Sequence, residues 1–71
     1  MQIQFVDLTK TIYVKRGIFS SDTKLRYVLD FFADKWTREK VSVNGLPVKK
    51  DDLDTDIGHL GFVNLQIELH R

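Results

Sequence analysis

The side chains that could do chemistry in this chain are few and scattered. Histidine occurs twice, as His59 between Gly58 and Leu60 and as His70 next to the C-terminus. An imidazole can move a proton near neutral pH or ligate a metal. His59 follows an acidic run and could join a metal site there, but a capping or solvated histidine is the simpler reading. The run Asp52-Leu53-Asp54-Thr55-Asp56-Ile57-Gly58 has the spaced oxygens of a calcium loop. An EF-hand, however, needs its glycine one position earlier, and Val63 stands where the bidentate glutamate belongs. There is no cysteine, hence no thiolate nucleophile, no cysteine zinc site and no disulfide framework. Paired carboxylates are concentrated in this one loop rather than set across a cleft. The expectation is a chain with no catalytic residue, no metal and no cofactor, not an enzyme.

What is left is recognition chemistry. Tyr27 and Phe31 lie four apart in a stretch where Leu25, Val28, Leu29 and Phe32 recur at helical spacing. Measured from Leu25, they fall at about 200° and about 240°, off the apolar stripe. As an i, i+4 pair they can form an exposed aromatic anchor for a protein partner. The competing and simpler reading is that Gly17-Ile18-Phe19 folds over them as a satellite core. Eleven basic against ten acidic residues give a net charge of +1. That balance argues against a nucleic-acid or membrane-surface ligand. Lys35, Arg38, Lys40, Lys49 and Lys50 could gather into a basic patch, but no aromatics interleave them. The partner expected is another protein, met by a monomer.

The elements that must position these residues follow from hydrophobic period. Met1 to Val6 and Thr11 to Lys15 alternate as two strands around a short polar turn, Asp7 to Lys10. Ser20-Ser21-Asp22-Thr23 is a cluster of helix N-cap residues. The helix it opens should fade near Trp36-Thr37. Lys40 to Val43 reads as a third strand, closed by Asn44-Gly45 in a tight turn. Leu46-Pro47-Val48 reads as a short edge strand, because Pro47 has no amide to donate. Lys49 to Gly61 is a polar connection anchored by Leu53, Ile57 and Leu60. Val63, Leu65, Ile67 and Leu69 alternate along the last strand. One helix on one face of a sheet buries all these faces together, a two-layer α+β domain spanning residues 1–71. The expected core is Met1, Ile3, Phe5, Ile12, Val14, Leu25, Val28, Leu29, Phe32, Val41, Val43, Leu53, Leu60, Leu65, Ile67 and Leu69. The outer sheet face then carries Gln2, Gln4, Tyr13, Lys15, Lys40, Ser42, Gln66, Glu68 and His70, with Leu8 at the hairpin tip. With Tyr27 and Phe31, the candidate partner-binding residues are Leu8, Lys40, Ser42, Gln66, Glu68 and His70.

In this order of elements the chain resembles the ubiquitin-like β-grasp superfamily. Met1-Gln2-Ile3, Leu8-Thr9, Thr11-Ile12, Ser21-Asp22-Thr23, Gly45, Asp56 to Phe62 and Leu65-Gln66-Ile67-Glu68-Leu69 fall in register with it. The resemblance implies a β-grasp roll, a mixed four- to five-stranded sheet with its first and last strands parallel at the centre. It also implies a role in recognition as an adaptor domain in the ubiquitin pathway, and the absence of the cysteine staples that a small secreted domain usually needs sets the expected home inside the cell, in cytoplasm or nucleus. The chain resembles a diverged ubiquitin-like domain. It ends Leu69-His70-Arg71 instead of the Gly-Gly that conjugated members activate. The apolar patch of the family keeps Leu8 but has Ser42, Gln66 and Glu68 at its other positions, and the linkage lysine after the third strand is Leu46. The expected function is a non-enzymatic protein-interaction module within a larger protein, or a free-standing non-conjugated protein. The alternative is a modifier or sulfur carrier whose Gly-Gly tail lies beyond Arg71. No apolar run approaches the length of a membrane span, and no basic-then-apolar leader opens the chain.

Overall fold

The alternating N-terminal residues form strand β1 (Gln2–Asp7) in the computed structural model, which describes residues 1–10 and 13–71. β1 pairs antiparallel with β2 (Tyr13–Ile18). Helix α1 (Leu25–Phe32) follows, then β3 (Val41–Val43), the two-residue β4 (Leu46–Pro47) and β5 (Leu65–Leu69). The strand order is β2-β1-β5-β3-β4, with β1 and β5 parallel at the centre and the other neighbours antiparallel. One helix on one face of a mixed five-stranded sheet is the expected two-layer α+β roll of β-grasp type. Asn44 (φ 50°) and Gly45 (φ 81°) make the tight turn between β3 and β4. Short 3-10 turns occupy Arg38–Lys40, Lys50–Asp54 and Ile57–His59.

The two apolar stripes explain why the layers close. Leu25, Val28, Leu29 and Phe32 are buried on α1, against Ile3, Phe5, Val41, Val43, Leu65, Ile67 and Leu69 of the sheet. Burying each such side chain stabilises by roughly 1.5–3 kcal/mol relative to exposure. The Phe5 and Phe32 rings stack with centroids 5.1 Å apart. The helix stops at Phe32, earlier than its spacing suggested. Ala33 turns extended (φ −134°, ψ 135°), and the Lys15 ammonium donates to the Phe32 carbonyl at 3.2 Å. Trp36 therefore lies outside α1. It packs half-buried on the core and donates its indole N–H to Asp30 at 2.8 Å.

The predicted caps do not cap. Ser20 donates its hydroxyl to Asp22, and Lys24 occupies the N-cap position without a side-chain bond to the helix. Tyr27 and Val28 N–H donate to the Lys24 carbonyl, and the rest of this end is tied to the distant connection by backbone bonds in both directions. Leu25 N–H donates to Thr55 O at 3.2 Å, while Ile57 and Gly58 N–H donate to Thr23 O and Ser21 O, both at 2.8 Å. This docking requires a bare backbone at Gly58, where an added Cβ would lie 2.9 Å from the Ser21 carbonyl oxygen. Ile57 is driven fully into the core by the same contact.

The largest departure from expectation is the facing of β2. Phe5 pairs with Lys15 and Val6 with Val14. Paired residues share a face, so Val14, Arg16 and Ile18 join Gln2, Gln4 and Val6 outside. Tyr13, Lys15 and Gly17 turn toward the helix layer, which corrects the placement of Tyr13 and Lys15 on the outer face. Gly17 shows why this packing suits the sequence. A Cβ there would meet Phe19 Cε1 at 3.0 Å and Phe32 Cζ at 3.3 Å. Val14 accordingly leaves the core at 41% exposed, Met1 and Leu60 are half-buried, and Ile12 lies outside the described residues. Val6, Val48 and Ile57 enter the buried set instead. Val63 precedes β5 and is exposed rather than part of its inner face.

Candidate functional site

The candidate residues separate onto two surfaces, one on each layer. On the helix layer, Tyr27 is 62% and Phe31 70% exposed. Phe19 does reach this region from the loop after β2. Its ring meets Phe31 edge-on at 5.3 Å and Phe32 at 5.6 Å, and Phe31 meets Phe32 edge-on at 5.2 Å. The satellite-core reading is therefore half right. Phe19 buttresses the Phe31 ring from the side but leaves its outer face open, and Tyr27 uncovered. Edge-to-face geometry of this kind adds roughly 0.5–1.5 kcal/mol per pair, enough to hold Phe31 in a defined position.

On the sheet layer, Ser42 and Glu68 are direct neighbours across β3 and β5, and Gln66 lies on the same face beside Gln4. His70 joins them. Its Nε2 lies 2.9 Å from the Ser42 hydroxyl, and its N–H donates to Lys40 O at 2.7 Å. Leu8 extends the parallel ladder by donating its N–H to Leu69 O, and its own carbonyl accepts from Arg71 Nε at 3.0 Å. The sheet thus brings Ser42, Gln66, Glu68 and His70 together, with Leu8 beyond the end of β1, whereas Lys40 joins them only through its carbonyl. Two apolar residues missed in the sequence, Val14 and the 85% exposed Ile18, share this face along β2. Their signal was available only through the hairpin register.

Asp7 closes β1 and is 9% exposed. Its carboxylate accepts the Thr9 N–H at 2.9 Å and the Thr9 hydroxyl at 2.5 Å. Those bonds to the charged form hold its pKa below the usual carboxylate value, against the opposing cost of burial. The acidic run is used to dock the chain onto α1. Asp54 pairs with Arg26 and Asp56 with Lys24, each at 3.3 Å, and Asp56 also lies 3.8 Å from His59 Nδ1. Asp52 accepts the Lys49 N–H at 2.9 Å. Among the described residues, no three His, Asp or Glu side chains are grouped to hold a metal ion. Among the same residues, no helix is long and apolar enough to cross a membrane.

The expected basic patch is also rearranged. Arg38 turns inward to the Val48 carbonyl at 3.2 Å. Lys35 and Lys40 instead line an open cleft beside the end of α1. Comparison of the chain with family models, with curated proteins and with solved structures gave no match in any of the three.

Proposed function

We propose that this chain is a non-enzymatic protein-interaction module of the ubiquitin-like superfamily, part of a larger protein or a non-conjugated protein in its own right. It acts inside the cell on another protein. The observation that supports this reading best is the state of Phe31, 70% exposed yet wedged edge-on against Phe19 and Phe32. The helix already buries four residues and does not use this ring to close the core. A large apolar side chain braced by neighbouring rings has less entropy to lose when a partner covers it, and aromatics of this kind dominate binding energy in interfaces. The order of elements and the central parallel strand pair support the superfamily reading.

The test is affinity capture with the wild-type domain, Phe31→Ser and Tyr27→Ala. Each variant should keep the circular dichroism of the fold and lose a partner that the wild type retains, with affinity reduced at least about tenfold. Unfolding of both variants would show that the two rings serve the core. Undiminished capture by both would refute the proposal.

A further inference from the structure

The lysines are not spread evenly over this molecule. An open cleft of about 600 Å³ lies where α1 ends and where the C-terminal residues pass β1. Its apolar floor is made by Phe32, Trp36 and Leu69, and Phe31 stands at its rim. Lys10, Lys15, Lys35, Lys40 and Arg71 surround it, drawn from five separate stretches of sequence. Only Asp7 and Asp34 oppose them, and Asp7 is already occupied by Thr9. Five of the chain's eleven basic residues but only two of its ten acidic ones line the cleft, giving it +3 and the remainder of the chain −2.

We propose that this cleft takes an acidic peptide segment of a partner protein, with several carboxylates flanking one apolar side chain. The proposal rests on the interaction-module reading and names the chemistry of the partner. Four of the five cations are lysines, separate point charges on flexible stems rather than a preformed fork for one compact anion. Arg71 has its Nε turned to the Leu8 carbonyl. Lys15 has its Nζ on the Phe32 carbonyl at the end of α1, at 3.2 Å. A peptide spreads its charge over the rim and lays an apolar residue on the Phe32 and Trp36 floor. Charge complementarity of this sort steers encounter and fixes the register of the complex.

The test is titration of the isotope-labelled domain, followed by amide shifts, with a short capped peptide of glutamates around a central leucine. Its glutamine counterpart and inorganic pyrophosphate are run beside it. The acidic peptide should shift Lys10, Lys35, Trp36 and Lys40. Its affinity should fall with salt and fall about tenfold in Lys35→Glu and in Lys40→Glu, since each reversal replaces attraction by repulsion. Equal binding of the glutamine peptide, or of pyrophosphate at the same residues, would overturn the proposal. So would salt-sensitive self-association of the free domain abolished by the same two variants, which would make the occupant a second copy. If the peptide leaves the cleft silent while Phe31→Ser still abolishes capture of a partner, the acidic segment is wrong and the proposed function stands. If both fail, the interaction reading falls with it.

Discussion

The facing of β2 can be tested by two substitutions whose order of cost reverses between the two possible registers. In the structure Val14 points away from the helix and is 41% exposed, while Gly17 points inward with Phe19 and Phe32 within 3.3 Å of any added Cβ. Val14→Thr should then cost under about 0.5 kcal/mol, as an exposed exchange in a strand does. Gly17→Val should crowd the two rings and cost about 1–3 kcal/mol. In the opposite facing, Val14→Thr would bury an unpartnered hydroxyl at about 1–3 kcal/mol. Gly17→Val would then improve an exposed strand site by about 0.5–1 kcal/mol. A domain of this size has roughly 4–10 kcal/mol to lose, so every variant remains measurable. Urea unfolding followed by fluorescence reads the result. With m near about 1 kcal/mol/M, Gly17→Val should lower the midpoint by about 1–3 M and Val14→Thr by under about 0.5 M. A larger loss for Val14→Thr than for Gly17→Val would refute the register and the outward placement of Val14, Arg16 and Ile18.

Four further substitutions probe the connection and the end of β1. Ile57→Ala should cost about 2–5 kcal/mol in the same urea assay, more than Leu60→Ala, because Ile57 is fully buried and Leu60 only partly. Gly58→Ala should cost about 1–3 kcal/mol, since its Cβ meets Ser21 Cβ and the Ser21 carbonyl oxygen, neither of which can move without the backbone. Equal midpoints for Gly58→Ala and wild type would mean the connection docks less closely. Asp7 has a folded pKa below its unfolded value. It therefore stabilises fully above the usual carboxylate pKa of about 3.9 and loses that contribution as pH falls through the lower folded value. Urea midpoints from neutral pH down to about pH 2 should show Thr9→Val shrinking this acid-labile part, and an unchanged acid limb would contradict it.

What was legible in the sequence is what period and local turn chemistry encode. The apolar stripes of α1 and β5, the Asn44-Gly45 turn and the edge position of Pro47 all follow from residue order. The facing of β2 was not legible, because strand period is two and a change of one residue in the hairpin register reverses every side chain. The role of Ser20 to Thr23 was hidden because the helix's first donor is met by Thr55, thirty residues downstream of Leu25. The acidic run reads as a ligand set until Lys24 and Arg26 are placed beside it. Of the basic cleft only Lys35 and Lys40 were grouped from sequence, since Lys10, Lys15 and Arg71 join them only when the hairpin, the end of α1 and the C-terminus converge. Phe31 was legible as an off-stripe aromatic, but its remaining exposure depended on how far Phe19 reached.

The most direct test of the account is an amide-shift map of the labelled domain bound to its captured partner, with the mass of both proteins taken before and after. The account predicts shifts centred on Tyr27 and Phe31, extending toward Trp36 and Lys35, with both masses unchanged. A map silent at Tyr27 and Phe31, or a partner covalently altered by the encounter, would contradict it.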